Sequence, residues 1–583
     1  MFPPSHYLQG DSEMARIIRS PFKPVPPLPE QNVHDFLFNH PDNQPAKDYT
    51  VHVDGLTGRK VSRHEFVERV RDAATALGTP TIEGGLGIGE KDGEIVGIFS
   101  HNALDFPVLV NALLVITTPF ALLSAYSTPF ELAQSLRTSK ATRLFVQSDL
   151  LSIALQAAKE VGLPEDRIYI LHGHVKGKET LDDLIQHARQ QRLLRVQVKP
   201  VKKDTLAYLV FSSGTTGRSK AVMISHGNIC YSLVQNDISF KEDGSPRPPS
   251  PLIWLGFLPM YHTYGLHLFC FRGFWVPSTI VIIPKWDLVT VVKLIPKLRI
   301  NVLWMTPSAV HQLAHSKDWR KEDFASVLTV GAGAAYLPLS LAKHMKERLG
   351  ENKDVTQGYG MSEMTISSTR MPTPNMFGGR IPPMADSVGV LLPGQDARIV
   401  REDGSDADVN EPGELWMRGG NVALGYWQDE EATRRTFLKD GWLRSGDQFR
   451  VDELGRLFFM ERVKDTLKVS GFQVSPTEIE DVLMAHPEKL LVEACVAGVS
   501  SGRSSDEKVP RAWVVLSDEG KAQGERTVVA KLDEQVRKNL SRYKWLRGGI
   551  EVVGEIPKLP TGKVLRRALQ SQHEERQKVS AKL

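Results

Sequence analysis

A loop rich in glycine and hydroxyl side chains joins two apolar, β-rich segments near the middle of the chain. It runs from Ser212 to Lys220 with the sequence SSGTTGRSK, and the strand-like segment Leu206–Phe211 precedes it. Glycines let backbone N–H groups converge, hydroxyls add donors and a lysine adds positive charge, which favours a polyphosphate-binding loop over an ordinary hairpin loop. A Walker loop is excluded, because it has the spacing GxxxxGK[ST] and opens onto a helix, whereas AVMIS after Lys220 predicts a second strand.

Size, charge and cysteine content bound the possible functions. A chain of 583 residues is expected to form two or more domains. Its formal net charge of +4 gives no sign of the clustered basic surface that nucleic-acid binding needs, so no nucleic-acid partner is expected. Three scattered cysteines, Cys230, Cys270 and Cys495, fit neither a disulfide framework nor a metal site, which favours an intracellular protein with reduced thiols.

Two apolar stretches are long enough to be considered as membrane-spanning segments. Phe106–Leu123 is interrupted by prolines and an asparagine, and Leu252–Ile283 by histidines, an arginine, glycines and prolines. A membrane-spanning helix needs about 20 predominantly apolar residues in succession. We therefore expect buried elements of an α/β core and no transmembrane span.

Alternating helical and strand-like patterns predict an α/β fold with doubly wound sheets. Ser62–Leu77 has helical spacing of apolar residues, and Glu94–Phe99 has the pattern of a short buried strand. Further alternation runs from about residue 252 to 358, and short strands and turns between Asp386 and Phe459 predict a small β-rich subdomain. We expect an N-terminal extension over residues 1–33, a large domain over 34–462 and an α+β C-terminal domain over 463–583.

Several motifs together resemble the adenylate-forming superfamily, which comprises acyl-CoA synthetases, adenylation domains of peptide synthetases and beetle luciferases. The loop at Ser212–Lys220 matches the superfamily signature, except that Arg218-Ser219 replaces its usual Leu-Pro or Lys-Pro. The blocks QGYGMSE at Gln357–Glu363 and GFQVSP at Gly471–Pro476 are most similar to the 4-coumarate–CoA-ligase-like group. The resemblance implies a large domain of two doubly wound sheets with a β-rich subdomain, followed by a small mobile C-terminal domain.

The resemblance also implies an ATP site. Asp447 in WLRSGD would bind the ribose hydroxyls with Arg462, Tyr359 would pack on adenine, Ser362 would hydrogen-bond the α-phosphate, and Glu363 would help to hold Mg²⁺. The predicted residues that bind ATP or coenzyme A are Ser212, Ser213, Gly214, Thr215, Thr216, Gly217, Lys220, Gly333, Ala334, Gln357, Gly358, Tyr359, Asp447, Arg462, Ser470 and Gly471.

The same resemblance supplies a set of catalytic residues. His262 lies in LPMYHTYG, which resembles the PMFHxYG block whose histidine lines the acyl pocket. Lys563 lies in a loop similar to the one that carries the adenylation lysine, and Lys468 lies in the stretch that reaches the site for thioester formation. The predicted catalytic residues are Lys563, Lys468, His262 and Ser362; the predicted substrate pocket contains Tyr264, Gly333 and Gly358, and the predicted hinge is Lys464.

The implied activity is that of an AMP-forming carboxylic acid–CoA ligase that uses ATP, Mg²⁺ and coenzyme A. An acid would react with ATP to give an acyl-adenylate and pyrophosphate, and coenzyme A would then give acyl-CoA and AMP. The aromatic residues of segment 254–275 leave both aryl and medium-chain acids open as substrates. Two other activities on the same scaffold also stay open: an adenylation enzyme that loads a carrier protein in trans, and a luciferase-like monooxygenase.

The last three residues predict a cellular location. Ala581-Lys582-Leu583 is a conservative variant of the Ser-Lys-Leu peroxisomal signal, and it follows a polar segment. We therefore expect the peroxisomal import receptor as a partner and a peroxisomal rather than a cytoplasmic protein.

Overall fold

A computed structural model describes most of the chain. The described residues are 8–9, 16–40, 47–91, 93–212, 219–243, 251–334, 337, 339–350, 353–462, 467–469, 472–474, 476–501, 508–557 and 566–580. They form two compact units. The first unit takes its residues from 1–125, 136–211 and 221–463, and the second from 126–135, 212–220 and 464–583.

The described part of the chain contains strands and helices throughout. The strands are β1 (Leu8–Gln9), β2 (Ile17–Arg19), β3 (Thr50–Asp54), β4 (Lys60–Ser62), β5 (Val96–Phe99), β6 (Phe120–Leu123), β7 (Arg143–Gln147), β8 (Ile168–His172), β9 (Leu206–Ser212), β10 (Lys220–Ser225), β11 (Leu252–Gly256), β12 (Ser278–Ile282), β13 (Val302–Met305), β14 (Thr329–Ala332), β15 (Asp354–Gln357), β16 (Thr369–Arg370), β17 (Val390–Leu391), β18 (Gln395–Val400), β19 (Gly413–Gly419), β20 (Gly425–Tyr426), β21 (Leu443–Val451), β22 (Leu457–Arg462), β23 (Leu467–Val469), β24 (Phe472–Val474), β25 (Leu491–Ser500), β26 (Lys508–Leu516) and β27 (Ile550–Val552). The helices are α1 (Val33–Phe38), α2 (Arg63–Gly78), α3 (Asp105–Val115), α4 (Pro129–Ser139), α5 (Leu151–Val161), α6 (Leu181–Gln190), α7 (His226–Glu242), α8 (Thr263–Leu266), α9 (Gly273–Trp275), α10 (Leu288–Leu298), α11 (Pro307–His315), α12 (Leu339–Leu349), α13 (Glu430–Thr436), α14 (Pro476–Met484), α15 (Asp518–Gln523), α16 (Glu525–Asn539) and α17 (Arg566–Ser580), with a π-helix over His267–Arg272 between α8 and α9.

Two seven-stranded sheets form the centre of the first unit. Their strand orders are β20-β10-β9-β6-β5-β7-β8 and β15-β14-β13-β11-β12-β3-β4. The neighbours from β9 to β8 and from β15 to β3 are parallel. Parallel neighbours need crossover connections, which here contain helices. The predicted α/β class with doubly wound sheets is confirmed.

The amphipathic pattern of the helices explains how they pack against these sheets. In α2 the apolar residues Phe66, Val70, Ala74 and Leu77, which the sequence places on one helix face, are all fully buried. The helix begins where the Ser62 hydroxyl accepts a hydrogen bond from the backbone N–H of Glu65, as an N-cap should. Prediction and structure therefore agree for this helix to within one residue.

A third, antiparallel sheet has the order β1-β2-β18-β19-β21-β22. Its last four strands lie in the segment predicted as a β-rich subdomain. Two strands come from the opposite end of the chain, because Ile18 of β2 pairs with Ala397 of β18 and is buried in the sheet's core. Part of the predicted N-terminal extension is thus a structural component of this sheet.

The apolar stretches lie in the core of the first unit. The first becomes α3 and β6, whereas the second contains β11, the π-helix and β12, and nearly all of their residues are buried. No helix in the described ranges is long and apolar enough to cross a membrane. Cys230, Cys270 and Cys495 are buried and form no disulfide bond.

The second unit has a smaller α+β core. Strands β25 and β26 are antiparallel, β27 pairs with β26 in parallel, and β23 and β24 form a separate antiparallel pair. Apolar residues of α14 and α16, including Leu483 and Leu532, pack with Val496 of β25.

A buried ion pair lies within this second unit. The Lys544 ammonium donates to Glu131 Oε1 at 2.7 Å and to Glu478 Oε1 at 2.9 Å. The Ser541 hydroxyl donates to the other oxygen of Glu131 at 2.6 Å. Burial disfavours the ammonium, but Tyr543 and the two carboxylates outweigh it and raise the pKa of Lys544. Removing one partner would leave an uncompensated charge in the interior.

We therefore expect Lys544→Ala to destabilise the second unit by about 3–5 kcal/mol. Lys531→Ala is the matched control, because Lys531 pairs with Glu488 at the surface, and we expect a loss of at most about 1 kcal/mol. Hydrogen exchange of the β25 and β26 amides in the full-length chain gives both values. Equal effects of the two substitutions would contradict this account of the buried pair.

Candidate active site

Two turns of the first unit meet at the carboxyl edge of one sheet. Strands β14 and β15 are parallel, with Ala332 opposite Gln357, so that the residues after each strand lie side by side. The backbone N–H of Gly358 donates to the carbonyl of Ala332 at 3.2 Å. Loops at the carboxyl ends of parallel strands are the usual ligand-binding positions in such sheets.

A short glycine-containing turn follows β14. Gly331 and Ala332 still belong to the strand. A Cβ on Gly331 would lie 2.5 Å from the Trp304 ring of the neighbouring strand, so this glycine accommodates an aromatic side chain inside the sheet. The turn itself contains Gly333 and Ala334, and Ala334 has a positive φ of 67°.

The predicted pocket residue Tyr264 packs directly against this turn. A Cβ on Gly333 would lie 3.1 Å from both Cζ and Oη of Tyr264, which is closer than ordinary contact. Glycine at position 333 therefore permits the tyrosine ring to approach the backbone. The structure thus brings together Tyr264 and Gly333, which the sequence assigned to one pocket from motifs far apart in the chain.

His262 begins the short helix α8 next to Tyr264. Its Nδ1 accepts a hydrogen bond from the backbone N–H of Tyr264 at 3.3 Å. The side chain is exposed, yet desolvation by the protein packed around the ring lowers the pKa of His262 to about 4. A neutral imidazole whose Nδ1 accepts carries its proton on Nε2. His262 therefore presents a hydrogen-bond donor at Nε2.

A hydrogen bond between hydroxyl groups connects the two motifs. Thr263 Oγ1 and Ser362 Oγ lie 2.9 Å apart, and both residues are buried. Thr263 is also hydrogen-bonded to Tyr208, whose hydroxyl lies 2.7 Å from His267 Nε2. Ser362 is thus oriented by a series of buried polar groups that begins on β9.

The predicted adenine and ribose residues also lie together. The Tyr359 hydroxyl donates to Asp447 Oδ2 at 2.7 Å, and its ring contacts Phe449 edge-on with centroids 4.8 Å apart. Asp447 of β21 is the cross-strand partner of Arg462 in β22. The backbone therefore places these three predicted nucleotide residues in one region, although the Arg462 side chain is outside the described part.

The predicted metal ligand Glu363 is a buried carboxylate. Its Oε1 accepts a hydrogen bond from the Tyr426 hydroxyl at 2.9 Å. Burial and the adjacent Glu363 both raise the pKa of Tyr426, so the phenol remains a neutral donor. Within the described residues no group of three or more His, Cys, Asp or Glu could hold a metal ion.

Gln357 has a structural role in addition to its place in the motif. Its side-chain oxygen accepts a hydrogen bond from the Leu337 N–H at 3.0 Å, and its amide nitrogen donates to the Ser387 carbonyl at 3.2 Å. Both ends of the side chain are thus engaged by backbone groups. The assignment of Gln357 to the nucleotide site stays a prediction.

Several predicted residues belong to the second unit or lie outside the described residues. Ser212 and Lys220 end β9 and begin β10, and the Ser219 hydroxyl donates to the Ser212 carbonyl at 3.2 Å. The backbone of Lys468 lies in β23, opposite Gln473. The residues outside the described part are Ser213, Gly214, Thr215, Thr216, Gly217, Lys464, Ser470, Gly471, Lys563, Ala581, Lys582 and Leu583.

Comparison with known proteins decides the relationship. Residues 38–427 match the family described as AMP-binding enzyme, and residues 478–563 match the family described as AMP-binding enzyme C-terminal domain. The chain belongs to the AMP-binding enzyme family.

Relatives of this AMP-binding enzyme extend over nearly its whole length. An acyl-CoA ligase of Alternaria alternata is 30% identical, covering 96% of this chain and 98% of that protein. A probable 4-coumarate–CoA ligase of Dictyostelium discoideum is 31% identical, covering 93% of this chain and 95% of that protein. An amide bond synthetase of Marinactinospora thermotolerans has a similar fold, with a TM-score of 0.75 at 22% identity over 93% of this chain and 99% of that one. The predicted membership of the adenylate-forming superfamily is confirmed.

Sequence motifs missed three residues that contact predicted residues of the candidate site or one another. Thr263 lies inside a recognised motif but has no distinctive chemistry until its contact with Ser362 is seen. Tyr208 and Tyr426 lie in strands β9 and β20, and nothing in their local sequence separates them from core tyrosines. Only the tertiary fold reveals their hydrogen bonds.

The bond between Tyr359 and Asp447 gives a direct test of the nucleotide region. Tyr359→Phe removes a hydrogen bond that orients the buried Asp447 carboxylate and contributes about 1.5–3 kcal/mol to stability. Because Asp447 would bind the ribose, we expect the Kd for AMP to rise. Tyr49→Phe is the control, because in the described part of the chain the buried Tyr49 hydroxyl has no hydrogen-bond partner. Calorimetric titration with AMP measures both variants, and an unchanged Kd for Tyr359→Phe would contradict this assignment.

Proposed function

We propose that this AMP-binding enzyme is an AMP-forming carboxylic acid–CoA ligase. A carboxylate oxygen of the acid attacks the α-phosphorus of ATP, which forms an acyl-adenylate and releases pyrophosphate. The sulfur of coenzyme A then attacks the acyl carbon, which forms a thioester and releases AMP. Two observations support the proposal. The hydrogen bond between Thr263 and Ser362 connects the motif of His262 with that of Ser362. Relatives that match nearly the whole chain include acyl-CoA ligases.

The first chemical problem is that two anions must meet. The neutral His262 presents its Nε2–H donor beside Tyr264 and Gly333, where it would orient the acid's carboxylate without a titrating charge at neutral pH. The Ser362 hydroxyl, fixed by Thr263, would donate to the α-phosphate. Preorganised donors of this kind lower the barrier because they need no reorientation during the reaction.

The nucleotide is held by groups that match its parts. Asp447 accepts a hydrogen bond from Tyr359 and would accept others from the ribose hydroxyls, whereas the Tyr359 ring would pack against adenine. Carboxylate–diol pairing fixes the ribose, and an aromatic face suits a flat base. We further propose that Gly333 and Gly358 leave room for the nucleotide and the acyl group at the ends of β14 and β15.

Glu363 fits a magnesium site of the usual kind. Mg²⁺ is generally held by one or two carboxylates together with substrate phosphates and water, and Glu363 is a buried carboxylate next to Ser362. When bound, Mg²⁺ would neutralise charge on the phosphates. The loop at Ser212–Lys220 would hold the pyrophosphate portion of ATP.

Two lysines of the second unit would divide the half-reactions. Lys563 would stabilise the charge that develops when the acid attacks ATP, and Lys468 would serve in thioester formation. Lys464 would be the hinge residue, and Ser470 and Gly471 would contact the coenzyme A arm.

The segment 254–275 does not decide between aryl and aliphatic substrates. Phe269, Phe271 and Phe274 are fully buried in the core cluster, and burial alone is compatible with either kind of substrate. Trp275 stacks on Phe36 of α1, with ring centroids 4.7 Å apart.

Screening acids by AMP release with free coenzyme A tests the proposed function. An enzyme that loads a carrier protein would depend on that protein, and a luciferase-like monooxygenase would consume oxygen.

Lys563→Ala should separate the two half-reactions. Loss of the cation should lower ATP–pyrophosphate exchange about 10²–10³-fold, while synthetic acyl-adenylate is still converted to thioester. Lys558→Ala, five residues earlier in the sequence, is the matched control and should affect neither reaction. An equal loss in both half-reactions would be incompatible with the division between Lys563 and Lys468.

We also propose that the enzyme is imported into peroxisomes. The proposal rests on Ala581-Lys582-Leu583 as a variant of the Ser-Lys-Leu signal.

Deleting Leu583 should therefore leave a fluorescent fusion of the full chain in the cytosol, because the receptor reads the terminal tripeptide. Lys578→Ala, upstream of the tripeptide, should leave punctate import unchanged. Continued import without Leu583, seen by co-localisation with a peroxisomal marker, would refute the proposal.

A further inference from the structure

A buried guanidinium lies at the end of the helical segment that carries the predicted acid pocket. Arg272 is the last residue of the π-helix His267–Arg272, and only 7% of its surface is exposed. Within the described residues its side chain makes no hydrogen bond or ion pair, and the groups that act on it electrostatically are Tyr264 and Arg370. Buried charges are normally paired, so this arrangement needs an explanation.

None of the neighbouring groups supplies a negative charge. Burial raises the pKa of Tyr264 above its usual value, so its phenol is neutral. Burial, followed by the charge of Arg272, lowers the pKa of His267 to about 3, so that ring is also neutral. Arg370 is a second cation, and it has its own counter-ion in Asp243 at 3.6 Å.

Arg272 itself stays charged in these surroundings. Burial lowers its pKa to about 10, which still leaves the guanidinium protonated at neutral pH. The sequence interrupts an otherwise apolar run, HLFCFRGFW, with this one permanent charge. A ligand with a negatively charged group would provide the counter-ion that Arg272 lacks among the described residues.

Tyr264 relates Arg272 to the pocket. The Arg272 guanidinium and the Tyr264 phenol interact electrostatically, so the two side chains are neighbours. Tyr264 packs against Gly333 at the pocket, and His262 precedes it. An acid oriented by His262 would extend along this segment with its far end toward Arg272.

We propose that Arg272 binds a second carboxylate at the far end of the acid, so that the preferred substrates are dicarboxylic acids. A guanidinium can donate two parallel hydrogen bonds to a carboxylate, which provides both charge and geometry for recognition. The inference rests on the proposed ligase activity and specifies its substrate class. It also assigns Arg272 a role in specificity, since it would contact the substrate away from the reacting atoms.

Matched pairs of acids test this assignment. The full-length enzyme is assayed by AMP release with coenzyme A, with α,ω-dicarboxylic acids and monocarboxylic acids of equal chain length, and with para-substituted aryl pairs. We expect higher kcat/KM for the diacid in at least one pair. Arg272→Met should lower the kcat/KM for the diacid at least about 100-fold, because the second carboxylate would then be buried without a partner. The kcat/KM for the monoacid should stay unchanged or rise. Arg320→Met, at an exposed position, is the control and should change neither.

A second measurement does not depend on turnover. At least one diacid of the panel should raise the Tm of the wild-type chain and not that of Arg272→Met. Arg272→Gln replaces the methionine variant if the latter does not fold. A wild-type preference for monoacids, or an equal loss for both acids in the variant, would overturn the role of Arg272. If no acid yields AMP, the proposed ligase activity fails, and the shift in Tm still decides whether Arg272 binds a diacid.

Discussion

The hydrogen bond between Thr263 and Ser362 is the contact on which the candidate site depends. It joins the segment after β11 to the turn after β15, which lie at the same edge of one sheet. Through it, His262 and Tyr264 are held beside the turn that contains Gly358, Tyr359 and Ser362. Because both hydroxyls are buried, the bond fixes a short distance between the predicted acid pocket and the predicted nucleotide site.

Local sequence predicted those elements whose patterns are complete within one segment. The helix α2 shows this well, since Phe66, Val70 and Leu77 recur at helical spacing and are all buried. The pairing of β2 with β18 escaped prediction, because the two strands are distant in the chain and β2 has only three residues. The π-helix escaped for a related reason: its residues have the composition of any buried helix, and the wider turn is imposed by packing.

The site was predictable where a motif carries unusual chemistry and unpredictable where a common residue acquires a role from its neighbours. His262, Ser362 and Asp447 were predicted from motifs. Tyr426 was not, because its bond to Glu363 depends on the pairing of β20 with β10. Arg272 was seen in the sequence only as an interruption of an apolar stretch, since the lack of a counter-ion becomes visible only in three dimensions.

Two buried cations, Lys544 and Arg272, differ in whether the protein itself supplies their counter-ions. Lys544 is surrounded by the carboxylates of Glu131 and Glu478, so its charge is compensated within the protein. Arg272 has no such partner in the described residues and faces a neutral phenol and another cation. The first charge is neutralised within the fold, whereas the second is suited to an external anion.

One site in the first unit would hold both the nucleotide and the acid, on either side of the contact between Thr263 and Ser362. A crystal structure of the full-length enzyme with a non-hydrolysable acyl-sulfamoyl adenosine tests this most directly. The account predicts the ribose hydroxyls on Asp447, the adenine beside Tyr359, the sulfamoyl group within hydrogen-bond distance of Ser362, and the acyl chain passing Tyr264. An analogue bound with its acyl chain directed away from Tyr264, or with its ribose away from Asp447, would contradict it.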